Sequence, residues 1–172
     1  MTTDLKSVLL RQHEMTWKLC AYHLTDLSTE DCLWRPGNGT GPHVWRHEDG
    51  QWRGEWPKTE TYELGPASIG WLTGHMVWWW SRVIDKSFGD GTLDADEIVW
   101  PGSGEAVVAT IEGLQRSWVS HVTALDEAAL CSFELTRWPF TKRPFADVVA
   151  WVNTELTKNA AEIGYVRFLR QQ

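Results

Sequence analysis

The chain has 172 residues and a formal net charge of -7 at neutral pH. A chain of this size is long enough for a substantial hydrophobic core, so we expect a single domain over residues 1–172. The negative charge argues against a nucleic-acid partner, because binding to a phosphate backbone requires a basic surface. Thirteen tryptophans are spread over helical and loop segments alike, which predicts many large and flat apolar contacts.

The cysteines and the N-terminus predict a location in the cytoplasm. Cys20, Cys32 and Cys131 form an odd set without a CxxC pair, and the first residues lack the charged and then apolar pattern of a secretory signal. Cys20 and Cys131 have apolar neighbours, so we expect them in the core rather than as nucleophiles. The segment VWWWSRVI lies between His75 and Asp85 and is too short for the run of about 18 apolar residues that a membrane span needs.

Apolar spacing predicts four long helices. They cover about residues 4–27, 67–86, 104–125 and 143–170. In the last of them, Pro144 lies in the first turn, where its missing N–H costs nothing, and Arg167 and Arg170 lie in the last turn, where cations suit the helix dipole. The side of the first helix that should face inward carries Leu5, Val8, Met15, Leu19 and Leu27. These elements predict an all-α fold, an antiparallel four-helix bundle.

A β-hairpin is predicted between the first and second helices, as an insertion of about residues 37–66. A connection of this length usually has structure or function of its own. In HVWRHEDGQWRGEW, Asp49-Gly50 is a strong signal for a two-residue turn, and pairing outward from it places residue 47 opposite 52 and residue 45 opposite 54. This register gives one aromatic face that we expect to pack on the bundle. Its members are His43, Trp45, His47, Trp52 and Trp56.

Three polar residues interrupt the apolar face of the last helix. Each helical residue advances by about 100°, so Glu155, Asn159 and Glu162 fall on one side of that helix. The same side carries Val148, Val152 and Val166. Burying an unpaired amide or carboxylate costs on the order of several kcal/mol. These three groups must therefore meet solvent, each other or a ligand.

His75 on the second helix shares its side with apolar residues and is the natural counterpart of this polar stripe. If both apolar faces point into one bundle, His75 meets Glu155 and Asn159 there, and facing helices are where bundles hold metal ions. Trp79 and Trp151 are expected to line the same pocket. A lone histidine on an apolar face is, however, more often a core residue than a ligand. The alternative is a metal-free polar pocket in which His75 pairs with Glu155.

Three segments of the chain resemble one family. They are SIGWLTGHMVWWW, then WVNTELTKNAAEIGYVRFLR far downstream, and AYHLTDLSTEDCLWRP near the N-terminus, so the likeness covers nearly the whole chain. The segments resemble the DinB-like (YfiT-like) metalloenzymes. This resemblance implies a four-helix bundle, often dimeric, in which one histidine of the second helix and two histidines of the last helix bind a divalent metal. Several members are linked to thiol-dependent transfer or isomerisation with bacillithiol or mycothiol.

The resemblance assigns ligand positions to particular residues. His75 takes the place of the second-helix histidine, and Glu155 and Asn159 take the places of the two last-helix histidines. Glutamate is a suitable ligand for zinc, nickel, iron or manganese, whereas an amide oxygen is a weak one. Glu162 or His23 could complete the set instead, as His75/Glu155/Glu162 or as His23/His75/Glu155. The sequence does not choose among these sets.

Two functions from different classes follow from the sequence. The first is a metal-dependent hydrolase or thiol-dependent transferase, in which His75, Glu155 and a third group hold a divalent ion. The second is a metal-free module that binds a small molecule or dimerises, without catalysis and without a cofactor. The expected partners are a small-molecule substrate or ligand and a second copy of the chain in a homodimer, with neither nucleic acid nor a membrane.

Overall fold

A computed structural model describes residues 4–55 and 62–171. Within them lie six α-helices and one antiparallel pair of strands. The elements are α1 (Leu5–Leu24), α2 (Thr29–Leu33), β1 (Val44–Arg46), β2 (Trp52–Gly54), α3 (Ile69–Phe88), α4 (Gly104–Ala124), α5 (Glu127–Cys131) and α6 (Phe145–Arg170). The prediction of a mostly helical chain is confirmed, and α1, α3, α4 and α6 are the four long helices predicted. No helix in the described ranges combines the length and apolar character that crossing a membrane requires.

Side-chain caps determine where the long helices begin. The side chains of Asp4, Ser68 and Ser103 accept hydrogen bonds from backbone N–H groups in the first turns of α1, α3 and α4, respectively. These N–H groups have no partner within their own helix, so the caps stabilise each start. α6 begins at Phe145, and Pro144 occupies the N-cap position, directly before the first turn in which the sequence analysis places it.

Two neighbouring helices, α1 and α6, run in the same direction. Near the start of both, the Leu9 carbonyl accepts a hydrogen bond from Asn153 Nδ2 at 3.0 Å. Near the end of both, the His23 carbonyl accepts one from Arg167 Nη1 at 2.7 Å. The prediction of an antiparallel bundle is therefore wrong for this pair. Apolar periodicity identifies the buried face of a helix and carries no information on helix direction.

α3 and α4 also run in the same direction. The connection between them, residues 89–103, returns along α3, which is about 30 Å long. Trp100 in this connection is 3% exposed, and its Nε1 donates to Thr73 Oγ1 near the start of α3 at 3.1 Å. At the other end, the rings of Phe88 and Trp118 are 6.0 Å apart. The antiparallel prediction is thus wrong for this pair as well, because a long connection allows the chain to cross back.

The face that α1 buries also differs from the prediction. Its buried residues are Leu9, His13, Thr16, Cys20 and Leu24. Among the residues predicted to face inward, Leu27 beyond the helix end is buried, but four are exposed by 39%, 45%, 67% and 43%. Those four are Leu5, Val8, Met15 and Leu19.

Polar pairs between α1 and α6 explain this rotation of α1. His13 Nδ1 is 3.0 Å from Asn153 Oδ1, and the hydroxyls of Thr16 and Thr157 are 3.1 Å apart. Asn153 Nδ2 also donates to Gln12 Oε1 at 3.0 Å. Because His13 Nδ1 and the Thr16 hydroxyl have partners on the facing helix, the helix can bury this face at a reduced cost, although His13 Nε2 has no hydrogen-bond partner among the described residues.

The β1–β2 ribbon forms with a register one residue away from the predicted one. The pairs are Val44 with Gly54, Trp45 with Arg53 and Arg46 with Trp52. The turn contains three residues between paired positions 47 and 51, whose backbone bond is 2.8 Å long. Gly50 in this turn has a φ of 84°, which glycine adopts without strain and which three-residue hairpin loops commonly require.

The shifted register separates the two tryptophans of the ribbon. A shift by one residue turns the side chains of one strand to the opposite face. Trp52 packs on Trp100 with ring centroids 4.7 Å apart, whereas Trp45 is 36% exposed and lies beside His43. The prediction of one aromatic face that contains both Trp45 and Trp52 is therefore wrong. Trp56, the remaining aromatic residue of that prediction, lies outside the described residues.

Candidate functional site

A cleft of about 290 Å³ lies between α3 and α6, next to the loop that precedes α3. Its polar side chains are His75 from α3 and Lys158, Asn159 and Glu162 from α6. The apolar residues that line it include Pro42, Leu64, Pro66, Leu72 and Val166. The polar stripe of α6 therefore opens on a cleft whose other walls are largely apolar.

Asn159 is completely buried, and both ends of its amide are bonded. Its Oδ1 accepts a hydrogen bond from Trp79 Nε1 at 3.0 Å, and its Nδ2 donates to Glu162 Oε2 at 3.0 Å. An indole N–H can only donate, so this bond fixes which end of the amide faces Trp79. The amide oxygen, which is the atom that would bind a metal, is thus already the acceptor of an indole N–H.

Glu155 pairs with Lys158 rather than with His75. Its Oε2 is 2.9 Å from Lys158 Nζ, and the two side chains are 17% and 38% exposed. Lys158 lines the cleft, so the ion pair lies at its edge. Because Glu155 is largely shielded from water, the ammonium group beside it compensates a charge that would otherwise be poorly solvated.

His75 belongs to an aromatic wall formed by one side of α3. Its ring lies parallel to that of Trp71, with centroids 5.2 Å apart and planes 6° apart, and the ring of Trp78 stacks at 6.2 Å. The spacing by three and four residues places these side chains above one another on the helix. Trp71 Nε1 also donates to the backbone carbonyl of Glu55, which ties the wall to the end of the β-ribbon.

Trp79 and Trp151 form a layer behind the cleft. Trp79 is 1% exposed and reaches the cleft through its hydrogen bond to Asn159. The rings of Trp79 and Trp151 meet edge to face at 5.7 Å, and Trp151 meets Trp138 in the same way at 5.1 Å. The sequence predicts that Trp79 and Trp151 line the pocket. Instead, they pack behind the residues that line it.

His23 lies away from His75. Its ring packs against Gly164, where an added Cβ would come within 2.5 Å of it, and it borders a separate cleft together with Arg167. Desolvation lowers the pKa of His23, and the positive charge of Arg167 lowers it further. Gly164 and Asn159 are five residues apart and so point about 140° apart on α6. A set that combines His23 with His75 is not formed.

The described residues do not fit a metal ion. In residues 4–55 and 62–171, no three side chains of His, Cys, Asp or Glu lie together in a way that could hold one. The candidate ligands that line the cleft are His75, Glu162 and the neutral amide of Asn159, whose oxygen already accepts a hydrogen bond from an indole. Zinc and similar ions usually require three or more protein ligands. This donor set is therefore too small.

Two residues of the cleft, Trp71 and Lys158, are not identified by the sequence analysis. The sequence spacing could have identified both, because helical side chains three or four residues apart lie next to each other. Trp71 precedes His75 by four residues, and Lys158 follows Glu155 by three. The buried Asn153, which bonds His13, is likewise missed. Its signal is the presence of an amide among the apolar residues of the last helix, on the side that faces α1.

The chain belongs to the DinB superfamily. The family model with this description matches residues 12–163, a range that includes most of α1 and reaches far into α6. The resemblance inferred from the sequence is thereby confirmed. Neither the curated proteins nor the solved structures contain a significant match.

Proposed function

We propose that this member of the DinB superfamily binds a small molecule in the cleft between α3 and α6 without a metal ion. The observation that carries the proposal is the Asn159 amide, which bridges Trp79 and Glu162 through two hydrogen bonds of 3.0 Å. An amide bonded at both ends within the protein organises the wall of a cleft. It is poorly suited to serve as a metal ligand at the position where the family resemblance places a histidine.

We further propose that the chain is one domain with a four-helix-bundle core, and that it forms a homodimer. The contacts of the long helices support the bundle, because α1 packs on α6, α6 on α3, α3 on α4 and α4 on α1. This closed ring of neighbours is what a four-helix bundle requires. The cleft then lies on one of its four seams, between α3 and α6.

The shape and charge of the cleft favour a small aromatic amine. The Trp71 indole, which stacks on the His75 ring, lines the cleft and offers an aromatic side chain against which a ring can pack. Glu155, Lys158 and Glu162 together carry one net negative charge, which favours a cation over an anion. A volume of about 290 Å³ is near the lower end for ligand pockets and suits a molecule of one or two rings.

The metal-dependent hydrolase or thiol-dependent transferase requires a divalent ion that the residues of the cleft do not fit. We therefore assign no catalytic step to these residues. A thiol cofactor of the bacillithiol or mycothiol type stays a prediction of the family resemblance.

The proposal is tested by calorimetric titration with two ligands of equal size and opposite charge. Phenethylamine should bind in the presence of chelator, and phenylacetate should bind much more weakly. Glu162→Gln keeps the acceptor for Asn159 but removes the charge, so it should weaken amine binding about fivefold. The matched control is Glu134→Gln, an equal change of charge at an exposed position outside the cleft. Similar binding of both ligands, or no effect of Glu162→Gln, would contradict the proposal.

A further inference from the structure

The guanidinium group of Arg82 on α3 lies in a corner formed by two tryptophan rings. Its Cζ atom is 4.6 Å from the ring centroid of Trp78 and 4.7 Å from that of Trp138. The two indoles are nearly perpendicular and their centroids are 5.9 Å apart, so they cover two sides of the cation. Aromatic faces attract a cation at this distance, and the planar guanidinium suits them well. These three side chains form the Arg82 corner.

The N–H groups of Arg82 have no partner within the described ranges. Neither an ion pair nor a hydrogen bond joins this side chain to residues 4–55 or 62–171. The Nε atom is shielded from water, whereas the terminal Nη groups reach the solvent. An arginine carries five N–H donors and no acceptor. The corner therefore holds a guanidinium group in place and presents its unpaired donors at the surface.

Neighbouring carboxylates do not neutralise this guanidinium. Asp85, one turn further along α3, accepts a hydrogen bond from the backbone N–H of Leu93 at 3.1 Å. On the facing helix α6, Glu155 pairs with Lys158 at 2.9 Å. The cation is thus partly removed from water without a carboxylate in contact with it in the described part of the chain. Such an arrangement favours the binding of an anion.

The segment that contributes the second indole of the corner adds positive charge. Residues 137–143, RWPFTKR, include three basic residues and no acidic one. Arg137 and Lys142 are exposed and form no ion pair with a described residue. Arg143 lies 3.8 Å from Asp147. The whole chain has a net charge of -7, so this concentration of positive charge is local, and it attracts small anions to the adjacent guanidinium.

We propose that the Arg82 corner binds the carboxylate of a small organic acid. The two Nη groups donate one hydrogen bond to each carboxylate oxygen, in the bidentate geometry that suits both groups. Because the indoles already hold the side chain, binding costs little further conformational freedom. One guanidinium satisfies the two oxygens of a carboxylate, whereas phosphate sites usually add backbone N–H groups or further cations. The single guanidinium of the corner therefore favours a carboxylate.

The Arg82 corner is separate from the cleft between α3 and α6. Arg82 follows His75 by seven residues, which is about 10 Å along the helix axis, and neither Arg82 nor Trp138 lines the cleft. One guanidinium supplies only two charge-assisted hydrogen bonds, so we expect a dissociation constant of about 1–10 mM for a monocarboxylate. Carboxylate binding at the corner does not depend on the amine proposed for the cleft.

NMR titration of the isotope-labelled full chain with benzoate tests this site, with sodium chloride added so that the ionic strength stays constant. The Arg82 Nε–H signal should be visible because this atom is shielded from water, and its loss in Arg82→Lys identifies it. Benzoate should shift the signal in a saturable way. Phenyl phosphate should bind no more tightly than benzoate, and tighter binding of the phosphate would overturn the carboxylate as the ligand.

Two matched changes separate this site from nonspecific anion binding. Arg82→Lys keeps the charge but loses the planar pair of donors, so benzoate should bind about fivefold more weakly. The backbone amide signals of residues 137–143 report binding in this variant. Arg11→Lys should leave binding unchanged, because Arg11 is exposed, lies outside the corner and has no ion pair with a described residue. Circular dichroism should show the wild-type fold for both variants.

The outcomes distinguish the corner from the cleft. A wild type without a saturable shift, or an Arg11→Lys variant that loses as much affinity as Arg82→Lys, would overturn carboxylate binding at the corner. Neither result would affect amine binding, because the residues of the cleft are unchanged. Conversely, Glu162→Gln should bind benzoate as the wild type does, and a loss of benzoate binding in that variant would contradict a separate site.

Discussion

Trp79 and Asn159 join α3 to α6 through a buried hydrogen bond of 3.0 Å, and both side chains are 1% exposed or less. The same amide holds Glu162 at the surface of the cleft. One contact therefore links the packing of two long helices with the placement of the carboxylate that we expect to recognise a ligand.

Asn159→Ala should lower the free energy of unfolding by about 2–4 kcal/mol. The change leaves the Trp79 N–H without an acceptor and creates a small cavity. Urea unfolding measures the loss, and Thr154→Ala on the exposed side of α6 should cost less than about 0.5 kcal/mol. Trp79→Phe combined with Asn159→Ala should cost less than the sum of the single changes. Additive losses would show that the two side chains do not interact.

His13 should make stability depend on pH. Desolvation lowers its pKa below the ordinary 6.5, against a smaller opposing effect of the Asn153 hydrogen bond. The unfolded chain therefore binds the proton more readily than the folded chain. Stability is full above about pH 6.5 and decreases as the pH falls from 6.5 toward the lowered pKa. In addition, His13 Nε2 is buried and has no hydrogen-bond partner among the described residues, so a proton there would be unsolvated.

Thermal melts between pH 5 and 8 measure this effect. His13→Gln should flatten most of the slope, and His23→Gln should remove less of it, because His23 is less buried. Asp31, whose pKa is lowered by hydrogen bonds from Ser28 against an opposing desolvation effect, titrates below its ordinary 3.8 and loses its contribution only at more acidic pH. An unchanged slope in His13→Gln would assign the pH dependence to another group.

The three cysteines should differ sharply in reactivity. Burial raises the pKa of Cys20 and Cys32 to about 12, and neither side chain is exposed. Cys131 is exposed, so its predicted place in the core is wrong. At pH 8, a disulfide reagent should modify one thiol per native chain and three per chain in denaturant. Cys131→Ser should abolish the native reaction, and rapid modification of a second thiol would contradict the buried positions.

The register of the ribbon predicts unequal roles for its two tryptophans. Trp52→Ala removes the contact with Trp100 and should cost about 1–3 kcal/mol of stability. Trp45→Ala alters a largely solvated side chain and should cost less than about 1 kcal/mol. Equal losses in urea unfolding would instead support the register in which both rings share one buried face.

The sequence predicts which segments are helical better than it predicts which face of each helix is buried. Apolar spacing identifies α3 and α6 nearly to their ends, because their buried residues recur at helical intervals. The same reasoning fails for α1, where Leu5 and Met15 are more apolar than the buried His13 and Thr16. The helix buries the polar pair because Asn153 and Thr157 on α6 bond it, and such partners are not visible in the spacing of one helix.

In the candidate site, the sequence likewise predicts the positions of residues on a helix better than it predicts their bonding partners. Helical geometry correctly places Asn159 and Glu162 on one side of α6, and the facing helix contributes His75 to the same cleft. The bonding partners depend instead on side-chain conformation. Asn159 bonds the indole of Trp79, and Glu155 bonds Lys158 from its own helix. Residue types alone leave both a metal centre and a metal-free polar pocket open, whereas these contacts favour a metal-free cleft.

Titration of the wild-type protein with phenethylamine, once in excess chelator and once after incubation with zinc, nickel or manganese, tests the central claim most directly. A metal-free cleft predicts the same dissociation constant under all of these conditions, because no ion takes part in binding. Binding that disappears in chelator and returns with a stoichiometric metal ion would contradict it.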